Sequence, residues 1–134
     1  MKKRSLRGEI LKYVYERYGT LPEYPWDGSP DAAVLRHDVG GKWYGLLMNV
    51  PKSKFGFSDD EPVDVLNLKC DPVMSGSMRL NGGIFPAYHM NKQHWISVLL
   101  DGTADTELIK MLIDTSFDLT AKKVKNKKSS RAEE

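Results

Sequence analysis

The stretch from Lys42 to Val50 limits the fold most, because it is apolar on both sides. In an extended chain successive side chains alternate between faces, so Tyr44, Leu46, Met48 and Val50 share one face while Trp43, Gly45 and Leu47 share the other. A strand backed by solvent would place polar residues at every second position, so this pattern predicts a central strand covered on both faces. Just before it, Val39-Gly40-Gly41 supplies the positive φ of a tight turn, which makes Ala33 to Asp38 the partner strand of a hairpin. A third strand, Val63 to Lys69, alternates cleanly: Leu66, Leu68 and Cys70 point one way, Val65, Asn67 and Lys69 the other.

The remaining elements surround that sheet. Ser5 caps a predicted helix over residues 6–18, where Leu6, Ile10, Val14 and Tyr18 recur every fourth residue and Gly19 supplies the stop. Leu21 to Pro30 contains Pro22, Pro25 and Pro30 and reads as an extended connection pinned by Trp26. Pro51 to Pro62 reads as a loop with Phe55 and Phe57 folded back. Asp71-Pro72 starts a short helix through about Leu80, weakened by Gly76, and Asn81-Gly82-Gly83 closes it. A second hairpin is expected from Ala87–Met90 and His94–Leu100. Thr103 or Asp105 then caps a helix over about 104–122, with Leu108, Leu112, Thr115 and Leu119 as its apolar stripe and Ile109 and Met111 nearby. Helix, three strands, helix, two strands, helix is most economically an α+β domain over residues 1–120, an antiparallel sheet with helices packed on one face. Residues 121–134 form a basic tail.

Composition excludes several classes. Of 134 residues 40 % are hydrophobic and 28 % charged, the balance of a globular chain and not of a disordered or collagen-like one. The longest apolar run, Ala32 to Leu35, is far short of the roughly 18 residues a membrane span needs. Lys2-Lys3-Arg4 begins like a secretion signal, but Arg7 and Glu9 interrupt the apolar region that should follow. A single cysteine makes no internal disulfide, so the reducing cytoplasm is the expected compartment. The net charge of +2 divides unevenly: residues 121–134 carry +4 and residues 1–120 carry −2. A body of that sign lacks the broad basic footprint of a strong duplex binder, whereas the tail adds nonspecific attraction to phosphate.

Tyr88 to Trp95 is the densest set of polar and aromatic residues. A two- or four-residue hairpin loop sets His89 opposite His94 on one face, while a three-residue loop separates them onto opposite faces. Two imidazoles can ligate a transition metal only with a third donor, and no ligand-spacing motif supplies it, so no metal or cofactor is expected. On the other face Tyr88 would neighbour Trp95, with Asn67 and Lys69 on the adjacent strand. That mixed aromatic and cationic platform suits stacking on a base, and suits structural packing equally well. Lys42, Asn91 and Lys92 lie at hairpin tips. Cys70 beside Lys69 is either a nucleophile at a helix start or a buried inert thiol, and His37 reads as an exposed hairpin residue. No phosphate loop, nucleophile elbow or zinc-protease motif is present.

Val65-Leu66-Asn67-Leu68-Lys69-Cys70-Asp71-Pro72 and Pro86-Ala87-Tyr88-His89-Met90-Asn91-Lys92-Gln93-His94-Trp95-Ile96 closely resemble the MmcQ/YjbR family. Tyr24-Pro25-Trp26, Gly41-Lys42, Leu100-Asp101-Gly102 and the Leu112 to Leu119 helix extend the resemblance over about residues 5–122. It implies a CyaY-like, or frataxin-like, α+β fold and, from the family's "double wing" description, DNA binding through the sheet face and hairpin tips. The alternative partner is a protein or small ligand on the Lys69, Tyr88 and Trp95 face. Ser75-Gly76-Ser77 and the basic tail depart from the family pattern. Frataxin-type iron binding does not carry over, because Glu9 and Glu16 alternate with Arg7, Lys12 and Arg17 on the first helix.

Overall fold

A computed structural model describes residues 5–78 and 80–121; the basic tail lies outside the described residues. The elements run α1 (Arg7–Tyr18), β1 (Ala33–Arg36), β2 (Trp43–Pro51), a 3-10 turn (Lys52–Phe55), β3 (Pro62–Lys69), α2 (Pro72–Met78), β4 (Ile84–Pro86), β5 (Trp95–Leu99) and α3 (Thr106–Thr120). The strands make one antiparallel sheet in the order β1-β2-β3-β5-β4, so the doubly apolar β2 is interior, as its pattern requires. This is a single α+β domain. None of its described helices is long and apolar enough to cross a membrane.

One face of the sheet carries the main core. Leu35, Leu47, Leu66, Leu68, Ile96 and Val98 are buried there against Ile10 and Val14 of α1 and Ile109, Leu112 and Ile113 of α3. The other face holds a smaller cluster of Val50, Val63, Val65 and Leu99, covered by Met48, Phe55, Phe85 and Tyr88. Phe55 and Phe57 do fold back, each with its ring beside Phe85. Trp26 meets Trp43 edge-on at 5.8 Å and so attaches the proline-rich connection.

Capping follows the residues that invite it. Gly19 takes φ 70° and its N–H and that of Thr20 bond back to Tyr15 and Val14. Asp71 Oδ1 accepts from the Met74 N–H, and Asp105, rather than Thr103, accepts from Leu108. At the start of α1, Ser5 Oγ accepts the Arg7 N–H and donates to Asp64, while the Leu6 N–H reaches the Leu100 carbonyl. Farther along α1, Tyr13, Arg17 and Tyr18 all donate to Asp114 of α3.

Two expectations about faces are corrected. Tyr44 does not share a face with Met48 and Val50: the β1–β2 register slips between Leu35↔Gly45 and Arg36↔Trp43, and this bulge turns Tyr44 into the helix-side core. Its phenol, which burial pushes up to about 12, donates to Thr20 Oγ1. The ladder there is completed by α3, since Ser116 Oγ donates to the Tyr44 carbonyl at 2.5 Å and accepts the Lys69 N–H at 2.9 Å. The buried stripe of α3 is accordingly Ile109, Leu112, Ile113, Ser116 and Thr120, and Met111 and Leu119 are exposed.

His37, expected at the surface, is buried at 7 % exposure. Thr120 Oγ1 donates to the Ser116 carbonyl, so toward His37 it is an acceptor and the imidazole carries its proton on Nε2. Burial pushes the His37 pKa down. The unfolded chain therefore takes up this proton first as pH falls through the ordinary imidazole range near ~6.5, and stability drops with it. Urea unfolding at about pH 7.5 and 5.5 should show a smaller loss of stability on acidification for His37→Gln than for the wild type. Separately, Gly83 has φ 84° and a Cβ there would lie 3.0 Å from the Ala104 nitrogen. Gly83→Ala should cost at least about 1–3 kcal/mol in the same assay.

Candidate functional site

The second sheet face is shaped by a closed polar network. The register sets Asn67 opposite Ser97, and both are fully buried. Ser97 Oγ donates to Asn67 Oδ1 at 2.5 Å and accepts the Tyr88 N–H at 2.9 Å; Asn67 Nδ2 donates to the Tyr88 carbonyl at 2.9 Å. Both main-chain groups of Tyr88 are thus held by side chains from β3 and β5. The next residue, His89, has φ 64°, the only positive φ among described non-glycine residues. That conformation costs on the order of 1 kcal/mol and persists only where surroundings impose it.

This network replaces the expected second hairpin. β4 is Ile84–Pro86, paired Ile84↔Val98, Phe85↔Ser97 and Pro86↔Ile96, and residues 87–94 leave the sheet. The ladder stops because the Tyr88 N–H and carbonyl go to side chains, while Asn91 folds the return: its carbonyl accepts from His94 and Trp95, and its Oδ1 accepts from Gln93. His89 and His94 are therefore not a cross-strand pair under any loop length. Among the described residues no three His, Cys, Asp or Glu side chains gather as a metal site.

The other expected residues separate into two groups. Trp95 and Lys69 are paired in register, with Lys69 Nζ 5.8 Å from the indole centroid. Tyr88 is not Trp95's ring partner; its ring lies 3.9 Å from His89 and 6.0 Å from Phe55. Lys92 Nζ donates to the Ala87 carbonyl and so closes the 87–94 excursion. Asn91 and Lys42 are exposed, and Cys70 is buried at 1 % exposure on the helix side, with its N–H on the His94 carbonyl.

Tyr88 and His89 form one wall of an open cleft of ≈410 Å³. The opposite wall is the chain entering β1, Gly28 to Ala32, and Met48, Asn49 and Val50 of β2 complete the lining. Arg7 supports this wall from beneath: its Nη2 donates to the Asp31 carbonyl at 2.5 Å, and Nη1 lies 3.6 Å from Asp64. Sequence reasoning missed Ser97, Arg7 and the 28–32 wall. Ser97 interrupts an apolar strand opposite another polar interruption, Asn67, and that coincidence was the available signal.

The protein belongs to the YjbR family, whose family model matches residues 16–119. It is 48 % identical over 114 residues to the uncharacterized protein YyaQ of Bacillus subtilis (strain 168), covering 85 % of this chain and 97 % of that one. Uncharacterized protein YbdF of Escherichia coli O157:H7 is 33 % identical over 122 residues, covering 89 % and 87 %. A crystal structure of a Pseudomonas syringae protein superimposes with a TM-score of 0.83 at 48 % identity, covering 86 % of this chain and 98 % of that one.

The polar network has a direct test. Ser97→Ala leaves Asn67 Oδ1 and the Tyr88 N–H without their partner in a buried setting, which should cost ~1–3 kcal/mol in urea unfolding. Amide exchange at Tyr88 and His89 should quicken at the same time.

Proposed function

We propose that this YjbR-family protein is a non-catalytic binding module whose site is the cleft between residues 28–32, β2 and Tyr88–His89. One observation carries the reading: a clamped aromatic residue stands at the wall of an open cleft, held by buried polar groups that packing alone does not require. Apolar residues at positions 67 and 97 would fill the same face without a hydrogen-bond network to satisfy, so the network's effect is to fix where the 87–94 excursion leaves the sheet. The cleft volume falls in the range of small-molecule sites, about 300–1,000 Å³. Helices on one face of an open antiparallel sheet are also what a frataxin-like fold requires, and the single buried Cys70 suits the cytoplasm.

Nucleic acid is the second reading, favoured by Lys69 over Trp95 and by the +4 tail. Against it, residues 1–120 carry 14 Lys and Arg against 16 Asp and Glu, a net of −2. Several of those cations are already paired: Arg36 with Glu23, Arg17 with Asp114, Lys52 with Asp101. A strong duplex binder draws its affinity from phosphate neutralisation, which this body offers poorly.

Two titrations separate the readings. In ¹⁵N-detected screening of the full chain against a fragment library, binders should move the amides of residues 28–32, 48–50 and 88–89 together; a screen in which no fragment moves them sinks the cleft reading. In fluorescence anisotropy with labelled single- and double-stranded DNA at about 50 and 200 mM salt, neutralising the tail lysines to glutamine should abolish whatever binding is seen. Binding that survives neutralisation and fails in Lys69→Ala and Trp95→Ala would put nucleic acid on the folded face instead.

A further inference from the structure

The chemistry of the cleft points to a ligand class, and we propose that it takes an organic cation: a protonated amine carried on a planar apolar body. This rests on the cleft being the binding site. The lining contains one carboxylate, Asp31, and neither lysine nor arginine. The cation nearest in the chain of contacts is Arg7, and its guanidinium is engaged by the Asp31 carbonyl and by Asp64, itself also bonded to Ser5 and Asn49. Among the described residues no hydrogen bond or ion pair engages the Asp31 carboxylate, and residue 31 is exposed.

The neutral polar groups favour the same sign of charge. Asn49 gives one of its two Nδ2 N–H groups to Asp64 Oδ1 at 3.0 Å, and its amide oxygen adds an acceptor to the cleft lining. Acceptors at Asp31 and Asn49 suit an ammonium group with several N–H donors and oppose a phosphate or carboxylate. The apolar body is matched by Met48, Val50 and the half-buried Tyr88, an aromatic residue that shares the lining with them.

Three probes that share an indole ring isolate the charge: tryptamine, 3-methylindole and indole-3-acetate, each titrated into the ¹⁵N-labelled full chain at near-neutral pH. Tryptamine should shift the amides of Asp31, Met48, Val50, Tyr88 and His89, with indole-3-acetate at least about fivefold weaker, the scale of an exposed ion pair. Asp31→Asn, an exposed change that leaves the fold intact, should weaken tryptamine about fivefold and erase the preference over indole-3-acetate. Tyr88→Leu should weaken tryptamine and 3-methylindole alike. Equal affinity for the three probes, preference for the anion, or tryptamine binding unchanged by Asp31→Asn would overturn the cation inference while leaving a ligand cleft in place. Absence of shifts with all three would overturn it too, and the fragment screen then decides independently whether the cleft binds anything.

Discussion

Asn67, Ser97 and the main chain of Tyr88 form a ring of hydrogen bonds in which each partner satisfies another. A buried polar network of this kind stabilises only when complete, because each orphaned group costs more than a typical bond contributes. Completeness here depends on register: Asn67 faces Ser97 only if β3 and β5 pair as they do, since a slip of one residue sends both to opposite faces. The network therefore fixes strand pairing and the exit of the 87–94 segment at once. The position of Tyr88 over Phe55, the strained φ of His89 and the cleft beside them all follow from it.

The helix side of the sheet uses the same device with a different partner. Where the Tyr44 bulge interrupts the ladder, Ser116 of α3 fills the gap by donating to one strand and accepting from the next. One face is closed by a helix side chain, the other by a strand pair and a loop. A sheet covered so differently on its two sides has one face closed by helices, built around Leu47, Leu66 and Ile113, and one that carries the open cleft.

Most of the architecture was legible because it rests on apolar periodicity and on turn chemistry. The interior position of β2, the Gly40-Gly41 hairpin, the Gly19 stop and the Asp105 cap all follow from local residues. The errors cluster where a polar side chain takes the place of a backbone partner. Hydrophobicity alone puts Leu119 in the buried stripe of α3, whereas Ser116 and Thr120 take the inward positions through their bonds to Tyr44, Lys69 and His37. Tyr88 to Met90 has strand-like residues, yet Ser97 and Asn67 outcompete the ladder for its main chain. Of the candidate site, Tyr88 and His89 could be singled out from composition. The opposite wall could not, because Gly28 to Ala32 carries only the signature of a turn and acquires meaning from Arg7, distant in sequence.

Helix α1 is fastened to residues that lie far downstream. Its entry is held by Asp64 and Leu100, its first turn by Asp31, and its later turns by Asp114. During synthesis the helix leaves the ribosome before most of these anchors exist, when the core that buries Ile10 and Val14 in the finished domain is still incomplete. The interval in which that apolar stripe lacks its partners is the stage at which a nascent YjbR domain is most open to chaperone capture or to self-association.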